Sequence, residues 1–416
     1  MQLLTITTLY PNANDTKHGI FVENRLRHLQ KHHPDVGCTV IAPVPWFPSS
    51  HPRFGEYARY ADVPRQETRH GITIYHPRYL AVPKIGMQLL PVTLHHCILK
   101  QVRALLKQGE HFDCIDGHYF YPEGVAVEKV AAQVNLPFTM TARGTDINLI
   151  PSFPRPLRQI QQVFRHSHHN LAVCEALRQT MILHGANPAS TTTARNGVDL
   201  ALFPFVDHHQ QHALRTELDL PVDRPLFISV GWLIERKGHH LVIEAMQSHP
   251  EAMLLIAGTG PNEKALKQQA QQQGMGDRIR FLGGVDQPTL ARYFAACDLS
   301  ILASDREGWA NVLLESMACG TPVVATNIWG TPEVVNCPEA GILVERDAVS
   351  LAKGIETLLH QRPDRQATRH HAERFSWEDT AHLLYHLFEQ IIASTTPSSS
   401  AAPHTSSPSP HKDMAS

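Results

Sequence analysis

The chain has 416 residues, more than one ordinary domain holds, and 37 Lys plus Arg against 39 Asp plus Glu give a net charge of −2. Two domains, each with its own core, are therefore expected, and nothing in the overall charge points to nucleic acid as a partner. Seven widely spaced cysteines without a Cys-x-x-Cys pair argue against a disulfide framework and fit reduced thiols in a cytoplasmic protein, while 28 histidines scattered without an HExxH pattern give no reason to expect a metal.

The first residues, MQLLTITTLYPNAND, carry no basic leader ahead of their apolar run and read as a strand rather than a secretory signal. No window reaches the roughly 18 apolar residues of a membrane span, so a soluble or at most peripheral protein is expected. Strand-like runs then alternate with helix-period segments, the pattern of parallel α/β sheets. In the first half the strands fall at 3–10, 38–44, 72–79, 114–119, 137–144 and 170–175. After the loop RNGVDLALFPF (195–205) the alternation restarts, with strands at 226–232, 253–258, 279–284, 299–304, 322–326 and 341–344. That restart divides the chain into domains at 1–200 and 201–375.

Among the helices, PNEKALKQQAQQQG (261–274) has Pro261 in its first turn and Gly274 at its end. Segment 376–393 opens with Ser376 three residues before Asp379 and reads as a capped terminal helix that crosses back to the first domain. From 394 to 416 the Ser/Pro/Thr-rich sequence cannot bury a core and is expected to be a disordered tail. Residues 78–107 hold five Lys or Arg and no acid beside a long apolar helical face. This segment reads first as a packed helix with a basic outer side and second as a patch for peripheral contact with an anionic membrane or a lipid-linked acceptor.

The chemistry gathers in the turns that follow strands. Gly19 opens a helix-like run after the first strand, where a glycine lets backbone approach a ligand and a helix start offers N–H groups to an anion. The dinucleotide fingerprint GxGxxG is absent there, which counts against an NAD-dependent dehydrogenase. In the second half, Arg236 and Lys237 sit in the turn after the first strand and suit a diphosphate, since doubly wound sheets bind ligands beyond the carboxyl ends of their strands. Gly258 in AGTGP and Gly308 in EGWANVLLE occupy two further turns that converge on the same crevice. A helix from about Trp309 to Ala318 would leave the N–H groups around Ala310, Asn311 and Val312 free for a phosphate. Glu307 and Glu315, on either side of that helix start, would be repelled by the phosphate and are suited to accept from sugar hydroxyls.

These residues resemble the retaining glycosyltransferases of family 4. The matching elements are EGWANVLLE, ACGTPVVATNIWGTPEVV, the RKG turn, AGTGP, FLGGVDQPTLARYFAACDLSILAS, and in the first half PNANDTKHGIFVENRL, DGHYFYPEGVA and RNGVD, over roughly residues 1–390. The resemblance implies the GT-B fold, two Rossmann-like doubly wound parallel-sheet domains facing a central cleft. It implies transfer of a hexose-type sugar from a nucleotide-diphosphate sugar to a glycan or lipid-linked acceptor, in cell-surface polysaccharide or glycolipid synthesis, without a metal cofactor. Glu315 would then bind the ribose, Glu307 the transferred sugar, Lys237 with Arg236 the diphosphate, and Gly19 the same phosphates from the first domain. Two departures stand out. Gly231-Trp232-Leu233 replaces the family's Gly-Arg-Leu, leaving Arg236 to compensate, and Arg143 stands where many members have a histidine at the donor sugar. His118 in DGHYFYPEG, read as facing the cleft, is the second candidate from the first domain. The alternatives are another GT-B nucleotide-sugar enzyme, an epimerase or hydrolase, or a binding protein of this fold that has lost turnover.

Overall fold

Runs such as Phe138–Ala142 and Met253–Ala257 are buried along their whole length, as parallel strands covered by helices on both faces must be. In the computed structural model, which describes residues 1–51, 53, 58–81 and 86–395, such runs build two sheets. The first half contributes β1 (Gln2–Ile6), β2 (Gly37–Ile41), β3 (Val44–Pro45), β4 (Gln66–Arg69), β5 (Ile72–Tyr75), β6 (Arg78–Tyr79), β7 (Cys114–His118), β8 (Phe138–Ala142), β9 (His169–Ala172) and β10 (Thr191–Thr193). Eight of these form one sheet in the order β10-β9-β8-β7-β1-β2-β5-β4, and β3 pairs separately with β6. Only the β4–β5 pair of the large sheet is antiparallel. The second half contributes β11 (Leu226–Val230), β12 (Met253–Ala257), β13 (Ile279–Gly283), β14 (Leu299–Leu302), β15 (Val323–Thr326) and β16 (Gly341–Val344), parallel throughout in the order β13-β12-β11-β14-β15-β16.

The sequence reading missed β4 and β10, because QETR and TTT carry no apolar run. The run expected at 72–79 splits into β5 and β6 around Pro77, which has no N–H to give a ladder. The helix expected at 261–274 spans Glu263–Gln272, with Pro261 ahead of it, Asn262 at its N-cap and Gly274 left-handed (φ 69°) just beyond.

Both sheets reverse their winding at a central strand, and this positions the ligand crevices. In the first, β2 and β7 flank β1; in the second, β12 and β14 flank β11. The chain therefore leaves neighbouring strands toward opposite sides at β1/β7 and β11/β14, and opens a crevice beyond their carboxyl ends.

The helix Trp377–Thr395 returns to the first domain, where Ala381, Leu384, Phe388 and Ile391 share a core cluster with Leu3, Leu29, Val36 and Leu171. At this recrossing the Val198 N–H donates to the Phe375 carbonyl at 3.0 Å. A Cβ on Gly197 would sit 2.3 Å from the Trp377 nitrogen, so only glycine fits there. The helix runs two residues beyond the expected 393, and residues 396–416 of the expected tail lie outside the described residues.

In the basic segment, the helix Leu90–Lys107 buries Leu94, Ile98, Val102 and Leu105 in the core and leaves Leu89 and Val92 exposed at its start. Residues 82–85 of that segment are outside the described residues. No helix among the described residues is long and apolar enough to cross a membrane.

Candidate active site

On the second-domain side the site is built by two interlocked turns. Gly238, left-handed at φ 70°, closes the turn after β11, and a Cβ there would lie 2.0 Å from the Ala303 carbonyl oxygen at the end of β14. The Asp305 N–H donates to the Arg236 carbonyl at 2.9 Å, so the turn bearing Arg236 and Lys237 is fixed onto the turn bearing Glu307. Lys237 Nζ lies 2.5 Å from Glu307 Oε1, and the Ser304 hydroxyl donates to the same oxygen at 2.6 Å. Arg236 donates to the Arg306 carbonyl at 2.6 Å and stands 3.9 Å from Glu307 Oε2. Burial opposes ionisation of Glu307, but Lys237, Ser304 and Arg236 more than offset it and hold its carboxyl below the usual range. Trp232 is exposed, so the nearest guanidinium on this turn is that of Arg236. Gly258 (φ 149°) lies against this construction from the turn after β12, where a Cβ would meet the Gly231 carbonyl oxygen at 1.9 Å.

The following helix begins at Asn311, two residues later than expected. Trp309 is buried instead, its ring 5.9 Å from Phe375 and 5.9 Å beneath the Arg195 guanidinium, which draws its backbone out of the helix. The Asn311 N–H bonds the Trp309 carbonyl at 3.1 Å, while those of Ala310 and Val312 have no hydrogen-bond partner among the described residues. They stand at the positive end of the helix. One turn further, Glu315 has no hydrogen-bond or ion-pair partner among the described residues, and burial pushes its carboxyl up to about 7. The two carboxylates therefore differ: Glu307 is held by protein cations, whereas Glu315 has its acceptor capacity unused.

The first domain brings a buried polar chain to the same place. Arg25 donates to Thr141 and to Asp116 (2.9 and 3.2 Å), and His118 Nε2 lies 3.2 Å from the other Asp116 oxygen. Arg143 donates to His118 Nδ1 at 2.7 Å and to Asn196 Oδ1 at 3.1 Å, and Asn196 donates to Asn311 Oδ1 across the cleft at 3.1 Å. Because arginine only donates, His118 Nδ1 must be the lone-pair nitrogen and Nε2 the one that carries the proton toward Asp116. Burial, aided by the charge of Arg143, lowers His118 to about 3 and outweighs the pull of Asp116, so the ring is neutral. Burial would raise Asp116, yet Arg25 and His118 keep it ionised well below the usual range. Burial and the nearby Arg25 bring Arg143 down to about 9, and its guanidinium lies 5.1 Å from the centre of the Phe21 ring.

His118, expected to face the cleft, is fully buried and acts on it through Arg143. Gly308 meets the first domain directly: a Cβ would sit 2.1 Å from the Arg143 carbonyl oxygen and 3.1 Å from Gly144 Cα. Gly19 (φ 67°) opens its helix as expected, and its Cβ position is occupied by the Leu9–Tyr10 backbone, within 2.2 Å. The packing of that loop on the end of β1 thus requires glycine by itself.

Sequence reasoning missed Arg25, Asp116, Asn196 and Ser304, and also Glu333. The Glu333 carboxylate accepts from the Ala176 N–H at 3.1 Å and from Arg195 at 2.6 Å, linking the helix after β15 to the first domain. Asn196 lies inside the quoted RNGVD and Asp116 two residues before His118, so their neighbourhood was visible but their roles were not.

Comparisons with known proteins agree with this architecture. Residues 22–202 match the model of glycosyltransferase family 4, and residues 210–375 that of glycosyl transferases group 1. A Bacillus subtilis (strain 168) glycosyltransferase named for teichuronic acid biosynthesis, TuaC, is 28% identical over 367 residues, covering 87% of this chain and 90% of its own. Among solved structures, sucrose-phosphate synthase from Thermosynechococcus elongatus superposes with a TM-score of 0.75 at 22% identity, covering 95% of this chain and 100% of that one. Anabaena HepE in complex with UDP-glucose gives 0.70 at 20% identity, covering 94% and 100%. The two family models span nearly the whole of both domains, and the sheets, crevice and turns are those of the GT-B fold: the chain belongs to the family 4 glycosyltransferases and is a transferase enzyme.

Proposed function

We propose that the enzyme moves a hexose from a nucleoside-diphosphate sugar to an acceptor hydroxyl with retention of configuration, in the synthesis of a cell-surface polysaccharide or glycolipid. The observation that carries this reading is the Glu315 carboxylate, unpartnered among the described residues, in the helix that follows the Glu307 turn, which is itself fixed onto the Arg236–Lys237 turn. A carboxylate accepts from two vicinal hydroxyls, as ribose presents, while the cations and free N–H groups take a diphosphate between it and Glu307. In this reading Glu307, fixed by Lys237 and Ser304, orients the transferred sugar and stabilises developing positive charge, and it is not a nucleophile. The leaving phosphate takes the acceptor proton on the face it departs from, with its charge met by Lys237, Arg236 and the helix start rather than by a resident metal. The UDP-glucose complex of HepE supports a nucleotide-sugar donor, and the name of TuaC supports a polysaccharide acceptor. The exposed Leu89 and Val92, at the start of the helix that also carries Lys100 and Arg103, suit peripheral contact with the inner face of a membrane where a lipid-linked acceptor resides.

Incubation with UDP-, GDP- or ADP-hexose and a panel of glycoside acceptors, followed by proton NMR of the anomeric signal, tests the reading. Retention of the donor's anomeric configuration in an acceptor-dependent product is expected. An inverted product, or the same product without acceptor, overturns it.

A further inference from the structure

Far from the cleft, the end of the first helix, Ile20–His32, meets the start of the terminal helix in a cluster of imidazoles. Potential ligand atoms of His32, Glu378 and His382 all lie within 4.8 Å of one another. Glu378 and His382 are four residues apart and share a helix face, with His382 Nε2 3.7 Å from the Glu378 carboxylate. The rings of His32 and His382 meet edge to face at 5.9 Å. Two imidazoles and one carboxylate form a donor set suited to a borderline divalent ion, zinc above all, and a water completes a tetrahedron. Zinc bonds of about 2.0–2.2 Å place ligand atoms about 3.4 Å apart, a contraction that rotation of these surface side chains can supply.

The surroundings complete such a site. His382 Nδ1 lies 2.9 Å from His33 Nε2, and the His33 ring stacks on Tyr385 at 3.9 Å. A ligating imidazole needs its second nitrogen to donate outward, which fixes the tautomer, and His33 is placed to accept that proton. We propose that His32, Glu378 and His382 bind one zinc ion, with His33 as the outer partner of His382, and that the ion ties the first helix to the terminal helix. This clasp lies beside the recrossing at Phe375–Trp377, where His28 stacks on Trp377 at 5.6 Å. The same first helix carries Phe21, whose ring lies 5.1 Å from the Arg143 guanidinium, so the ion stiffens an element that touches that end of the site.

The test does not depend on transferase activity. The EDTA-stripped full chain is titrated with zinc chloride by calorimetry, alongside a His32→Ala/His382→Ala double variant, a His33→Ala variant and a control with exposed His208 and His209 both changed to Ala. One zinc per chain is expected for the parent and the control, with affinity reduced at least about tenfold in the double variant and in His33→Ala. Metal-free thermal midpoints equal to the parent's establish that the variants fold, and zinc should raise the midpoint of the parent but not of the double variant. Zinc binding by the double variant as tight as the parent's, or no stoichiometric binding by the parent, overturns the proposal.

Discussion

Lys237 holds Glu307: the ammonium lies 2.5 Å from Oε1, on an oxygen that also accepts from Ser304. This carboxylate is therefore pre-oriented and ionised before any ligand arrives. Glu307→Gln keeps the shape and removes the charge. Transfer is expected to fall on the order of 10²–10³-fold, while nucleotide affinity measured by calorimetry changes by less than about threefold. Unimpaired transfer by this variant would remove Glu307 from the reacting centre.

In the proposed reading Glu315 links donor binding to pH. Burial pushes its carboxyl up to about 7, so below that value it would lose the charge with which it is proposed to accept from ribose. Donor affinity should rise about tenfold between pH 6 and pH 8, and Glu315→Gln should abolish that rise. The proton is bound more tightly in the folded chain than at the usual value of 4.5 in the unfolded one, so ionisation costs stability as pH climbs from about 4.5 to 7. Unliganded Glu315→Gln should accordingly unfold at a higher temperature than the parent at pH 8, and differ little at pH 4.

Gly308 couples the domains. With its Cβ position 2.1 Å from the Arg143 carbonyl oxygen, Gly308→Ala must push the two domains apart or shift the Glu307 turn. Because small misplacements of reacting groups are costly, kcat/KM should fall on the order of 10²-fold. Small-angle scattering of the variant with nucleotide should show a more open particle than the parent. An unchanged rate would mean that the Gly308–Arg143 contact is not part of the productive state.

His118 positions Arg143 and does not itself meet the cleft. His118→Asn should lower kcat more than it raises the donor KM. The acid side of stability should change as well. The folded pKa of about 3 lies below the usual 6.5, so the unfolded chain takes up a proton first, and stability drains away as pH falls from 6.5 toward 3. In the variant that part of the slope should vanish in urea titrations at pH 6 and pH 4.5.

Much of the fold was legible because buried parallel strands such as LLIA and VVAT advertise themselves as apolar runs between helical segments. β4 and β10 were not, since edge strands made of QETR and TTT bury little and owe their place to backbone pairing. At the site, the places of Lys237 and Glu307 in turns after strands, and of Glu315 in the helix that follows, could be read from the sequence. The difference between the two glutamates could not, because it depends on which carboxylate a distant turn supplies with a cation. The line from Arg25 through Asp116, His118, Arg143 and Asn196 to Asn311 joins residues far apart in the chain, and no local pattern records it. The late start of the Asn311 helix likewise depends on the packing of Trp309 under Arg195 and against Phe375.

In the proposed reading this cleft holds a nucleoside-diphosphate sugar, its diphosphate beside Lys237 and its ribose on Glu315. A thermal-shift screen of the parent against UDP-, GDP- and ADP-sugars tests it most directly, since a ligand at 100 times its Kd stabilises the folded state by about 2.7 kcal/mol. One nucleotide class should raise the midpoint by several degrees, with the rise reduced in Glu315→Gln; no shift with any of the three would exclude a nucleoside-diphosphate sugar as the ligand of this cleft.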